Sequence, residues 1–68
     1  MAISARNQLR GTIVDVKLGN VMAHIVVKVG ENEIESVITR RSVDEMKLQA
    51  GDTVTVIIKS TEVMLSKG

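Results

Sequence analysis

The chain contains no cysteine, no proline, no phenylalanine, tyrosine or tryptophan, and a single histidine, His24. Lack of cysteine removes disulfides, thiolate nucleophiles and thiolate metal sites, and one imidazole is too few for the common structural zinc clusters. Lack of aromatic rings removes the stacking platforms on which single-stranded nucleic acid is usually held. Lack of proline leaves strands free to run without interruption. Neither sign of charge dominates: nine basic and eight acidic side chains give a formal charge of +1. That balance argues against a polybasic tail or a broad nucleic-acid surface, so any anion site must be local. No stretch approaches the ~18 to 20 apolar residues of a membrane span. The start Met1-Ala2-Ile3-Ser4-Ala5-Arg6 lacks the basic and hydrophobic regions of a secretion signal, and the expected location is cytoplasmic.

What is present is aliphatic and largely β-branched, which favours strands. Sixty-eight residues make one domain, 1–68. A domain near this size buries only roughly 60% of the surface of its unfolded chain, so association with further copies is the economical way to enlarge the core. Leu9–Lys17 reads as a first strand, with Thr12, Val14 and Val16 on one side and Leu9, Gly11 and Ile13 on the other. After the Gly19-Asn20 reversal, Val21–Val29 places Val21, Ala23, Ile25, Val27 and Val29 on one face, the clearest strand of the chain. Ile34–Thr39 and Thr53–Lys59 alternate in the same way, and the tail Ser60-Thr61-Glu62-Val63-Met64-Leu65 is expected to begin with a short turn and end as a fifth strand. Ser42-Val43-Asp44-Glu45 has capping-box spacing and predicts a short helix from Ser42 to about Leu48. The expected fold is all-β: a small OB-like five-stranded partly open barrel with one short helix, rolling being a way to protect sheet edges. A two-layer α+β domain is the alternative.

Catalysis finds no apparatus, and the chain is read as non-enzymatic. His24 stands in the middle of an alternating strand, where a structural or surface role suits it better than service in a triad. Asp44 and Glu45 are accounted for by helix initiation. Lys17-Leu18-Gly19-Asn20 and Ala50-Gly51-Asp52 are turns rather than phosphate-binding glycine loops.

Two polar groups interrupt the hydrophobic pattern: Ser4-Ala5-Arg6-Asn7-Gln8 before the first strand and Lys59-Ser60-Thr61 after the fourth. Both combine cationic or amide donors with hydroxyls, a mixture suited to holding an anion by directed hydrogen bonds. Composition and spacing alone leave an ordinary alternative open, in which these residues form turns, face water or cap the last turn.

Taken in order and separation, three strings resemble the molbindin family of Mop-type molybdate-binding proteins, also found as TOBE-type domains in molybdate regulators and transporter ATPases. They are Ile3-Ser4-Ala5-Arg6-Asn7-Gln8-Leu9-Arg10-Gly11, then Val37-Ile38-Thr39 with Ser42-Val43, and Lys59-Ser60-Thr61-Glu62-Val63-Met64. The resemblance spans essentially the whole chain. It implies an OB-like fold, a homohexamer arranged as a trimer of dimers, and oxyanion sites at subunit interfaces, with molybdate or tungstate as ligand and no metal held directly by protein side chains. It assigns Ser4, Arg6 and Asn7 from one subunit, with Lys59 and Ser60 from another, to one class of site. Thr39 and Ser42 match a middle region associated with anion contacts, although Ser42 also suits a helix cap; His24 and Arg40 match no transferable motif. The implied role is intracellular molybdenum storage or homeostasis, without membrane or nucleic-acid partners. An OB-like single-stranded nucleic-acid binder and a purely structural oligomer are the rival readings.

Overall fold

Period-two alternation of small and β-branched residues sets the middle of the molecule. In the computed structural model, which describes residues 2–68, β2 (Met22–Val29) buries Ala23, Ile25 and Val27 on one face. Met1, part of the expected 1–68 domain, lies outside the described residues. β1 (Asn7–Leu18) and β3 (Asn32–Thr39) flank β2, and β4 (Thr53–Ile58) pairs with the other side of β1. Every pairing is antiparallel, in the order β3-β2-β1-β4. The one α-helix among the described residues, α1 (Arg40–Met46), lies between β3 and β4 in sequence and contributes Val43 to the buried core.

The core is small: Ile13, Ala23, Ile25, Val27 and Val43 are buried, with Val16, Val29, Ile38, Leu48, Val54 and Val56 packed against them. Each fully buried aliphatic side chain of Val or Ile size contributes about 1.5–3 kcal/mol, so few residues carry most of the fold. Gly11 sits where β1 runs tightly against the end of β2. A Cβ there would lie 2.6 Å from the Lys28 carbonyl oxygen and 2.8 Å from Val27 Cγ1, which only glycine avoids.

Strict alternation along the first strand fails at one point. Ile13 pairs with Val27 and Asp15 with Val26, leaving Val14 as the extra residue of a β-bulge. The bulge shifts the phase, so Ile13 and Val16 both reach the core while Val14, expected to share a face with Val16, is 44% exposed. Its anchor comes from the turn before β4: the Gly51 N–H donates to Ile13 O at 2.8 Å and the Ile13 N–H donates to Asp52 O at 2.9 Å.

Two further expectations are corrected. The helix begins two residues before Ser42 and ends at Met46, since Thr39, extended at φ −70 and ψ 147, is its N-cap and Lys47 turns left-handed at φ 52. The Ser42 N–H donates to Thr39 Oγ1 at 3.1 Å. Ser42 therefore lies in the first helical turn, and Glu45 pairs with Arg41 at 2.9 Å instead of reaching back to a cap. The fifth strand is also not formed. After β4, Ser60–Glu62 make a single 3-10 turn closed by the Glu62 N–H on Lys59 O at 2.9 Å, and residues 63–68 join no sheet. A strand needs an edge to pair with, and this turn does not lay the tail along one. The result is a mostly-β domain with four strands in an open sheet and one short helix. No helix among the described residues is long and apolar enough to cross a membrane.

Candidate ligand-binding site

Antiparallel pairing of β1 with β4 decides where the two polar strings meet. Asn7, the first residue of β1, is opposite Ile58, the last of β4. The residues just before one and just after the other must then leave the sheet side by side. Ser4, Ala5, Lys59, Ser60 and Thr61 line one open hollow of about 280 Å³ at that point. Two local bonds hold its walls: Asn7 Nδ2 donates to Ile58 O at 3.2 Å, and Gln8 Nε2 donates to Ala5 O at 3.1 Å. The first ties the two exits together and the second shapes the segment carrying Ser4.

Three hydroxyls and one ammonium thus converge, all on exposed residues, and hydroxyls and ammonium groups are donors to an anion's oxygens. Arg6 is exposed in the same segment but does not line the hollow, and Asn7 is half-buried with its amide engaged on Ile58. Ser4 already stands beside Lys59 and Ser60 within one chain, whereas the family resemblance had divided them between subunits. Glu62 adds a carboxylate to the same 3-10 turn. Thr61 and Ala5 are lining residues that the motif reading did not single out; adjacency in sequence to Ser60 and Ser4 was their only signal.

Thr39 and Ser42 belong elsewhere. Thr39 pairs with Met22 beside the Leu18 end of β1. β1 has 12 residues, so at ~3.3 Å per residue its two ends are roughly 35 Å apart along the strand. Here the polar groups satisfy one another. The Thr39 and Ser42 hydroxyls are 2.8 Å apart, Arg40 Nε donates to Asp44 at 3.4 Å, and Arg41 Nε donates to Glu45 at 2.9 Å. Arg40 also donates to Gly19 O at 3.3 Å. His24 approaches Glu35 at 2.7 Å in a cross-strand diagonal pair on the outer face, a structural role.

Fold and donor cluster together define a class: a small β domain with a hydroxyl-and-cation site where its N-terminal segment and β4 exit meet. Residues 3–65 match the TOBE domain, and the chain belongs to that family. Molybdenum-pterin-binding protein 1 of Clostridium pasteurianum is 46% identical over 66 residues, covering 96% of this chain and 97% of the relative. The structure of a molybdate-binding protein from Sporomusa ovata superposes with a TM-score of 0.94 at 40% identity, covering 98% of this chain and all of that one. ModG, a cytoplasmic molybdate-binding protein solved with molybdate bound, gives a TM-score of 0.83 at 33% identity, with 88% of this chain matching 43% of it.

Proposed function

We propose that this chain is a non-enzymatic binder of molybdate, and of tungstate, acting in molybdenum storage or homeostasis in the cytoplasm. The observation that carries the reading is the convergence of Ser4, Lys59, Ser60 and Thr61 on one hollow, at residues of the two strings that resemble the molybdate-binding family. Molybdate is a tetrahedral dianion with four acceptor oxygens, so hydroxyl donors and an ammonium can surround it without a metal. Ser4, Ser60 and Thr61 supply directed hydrogen bonds and Lys59 a compact positive charge.

An open hollow leaves part of such an anion in water, and a doubly charged ligand is held strongly only when most of its oxygens are met. In this reading a further copy of the chain closes the site and brings in Arg6, within a homohexamer built as a trimer of dimers. Asn7 positions the walls through Ile58. Thr39 and Ser42 serve the helix start and take no part in this site. Tungstate has nearly the size and charge of molybdate and binds alike, whereas the smaller sulfate leaves donors out of reach if the walls are rigid.

Isothermal titration with molybdate, tungstate, sulfate and phosphate, on protein whose assembled mass has been measured, tests this. Saturable heats for the first two, with weak response to sulfate and phosphate, are expected. No molybdate heat, or an equal response to sulfate, overturns it.

A further inference from the structure

Residues 2–6 join no strand, yet Ser4 and Ala5 form one wall of the hollow. The opposite wall, Lys59–Thr61, follows directly on β4 and is closed into a turn by the Glu62 N–H on Lys59 O. Ser4 and Ala5 have no helical turn to stiffen them. Among the described residues, the one side-chain hydrogen bond made to residues 2–6 comes from Gln8, whose Nε2 donates to Ala5 O at 3.1 Å.

Gln8 itself does not line the hollow. It is paired in β1 with Ile57 of β4, so the sheet holds its backbone while its amide reaches back to Ala5. Successive residues of a strand face opposite sides. Asn7 therefore grips the Ile58 carbonyl from one side of β1, and Gln8 grips the Ala5 carbonyl from the other. These carbonyls matter to an anion for a second reason. A carbonyl oxygen is an acceptor, and one left free beside an oxyanion repels it; both are occupied here by amide donors.

We infer that Gln8 is a positioning residue that decides which tetrahedral oxyanion the hollow accepts. Molybdate and sulfate carry the same charge and differ in size, so charge does not separate them. Separation requires donors that keep their spacing when a smaller anion enters. Ser4 is the donor on the less supported wall, and Gln8 ties that wall to β1. With the bond intact, Ser4 stays at the distance the larger anion needs. Without it, the wall moves inward to meet sulfate, and the advantage of molybdate falls. This role rests on the proposed oxyanion site, but the order of the wall is read in the free protein.

Two substitutions test it. Gln8→Met keeps a side chain of similar length and removes the donor; Gln8→Lys restores a donor and adds a charge. In the free proteins, nitrogen-15 relaxation should show the Ser4, Ala5 and Arg6 amides more mobile in Gln8→Met than in wild type, and stiff again in Gln8→Lys. The urea midpoint should stay within error, because the lost bond is exposed. Titration with both anions should show the preference for molybdate over sulfate shrinking about two- to tenfold in Gln8→Met, the worth of one neutral hydrogen bond. Gln8→Lys should return it toward wild type. The added lysine charge acts on both dianions alike, so the ratio of their dissociation constants reports geometry. Unchanged relaxation in Gln8→Met overturns the inference without any ligand. A preference that stays low in Gln8→Lys also counts against it, since the donor is then not what was lost. A wild type that takes no molybdate defeats the oxyanion site and this role with it, whereas a wild-type preference for molybdate that survives in Gln8→Met defeats this role alone.

Discussion

The two ends of β1 carry polar clusters of nearly the same composition and opposite economy. At the Leu18 end, Thr39, Arg40, Ser42 and Arg41 are taken up by one another, by Asp44 and Glu45, and by the Gly19 carbonyl. At the Asn7 end, Ser4, Lys59, Ser60 and Thr61 share a hollow, and among the described residues the hydrogen bonds there, from Asn7 and Gln8, run to backbone carbonyls and leave those four side chains free of them. Hydroxyls beside cations do not make an anion site by being present. A ligand gains only from donors that the fold has not already satisfied, because displacing an internal partner returns most of what the new bond contributes.

Removing a free donor should therefore hurt binding more than folding. Lys59→Ala is expected to lose about 1.5–3 kcal/mol of molybdate binding, the worth of a charged hydrogen bond, or at least roughly tenfold in affinity by titration. Its urea midpoint should stay within error of wild type. Unchanged affinity would erase the contrast between the two ends.

Removing a satisfied donor should do the reverse. Thr39→Ala deletes the N-cap of α1 and is expected to lower stability by ~1 kcal/mol, read from urea unfolding monitored by circular dichroism. The molybdate isotherm of the folded protein should not move. A weakened isotherm at full stability would mean the helix start belongs to the site.

Asn7 sits between these cases, because its amide braces the hollow without facing a ligand. Asn7→Ala removes the bond to Ile58 O, and a stability loss of about 0.5–1.5 kcal/mol is expected together with a measurable fall in affinity. Loss of one without the other would separate bracing from binding. The smallest effect belongs to the surface pair at the helix. A double-mutant cycle of Arg41→Ala and Glu45→Ala should give a coupling of about 0.3–0.5 kcal/mol, falling further at high salt.

Much of this was legible from residue order. Ala23, Ile25 and Val27 announce β2 because a strand covered on one face repeats every two residues, and all three are buried. Strands expected over 34–39 and 53–59 followed from the same rule and form over 32–39 and 53–58, and the two polar strings stood out because they broke it. The bulge at Val14 was hidden, because an inserted residue looks locally like continued alternation; only the pairing of Ile13 with Val27 and of Asp15 with Val26 reveals the shift. The helix cap is Thr39 and not Ser42, because Thr39 is still extended at the end of β3 and its hydroxyl accepts from the Ser42 N–H. The tail reads as a strand by composition, yet pairing depends on an available edge, which composition does not supply.

Short-range chemistry, then, was determined by the sequence alone: which segments are extended, which faces are apolar, and which side chains can donate to an anion. Those properties depend on bond geometry and on neighbours a few residues away. The tertiary structure alone decided which donors meet. Ser4 and Lys59 are 55 positions apart in the chain and reach one hollow because β1 and β4 run antiparallel in a particular register. Thr39 and Ser42, nearer to either string in sequence, are held at the far end of the sheet, since distance in a folded chain follows strand pairing and not residue number.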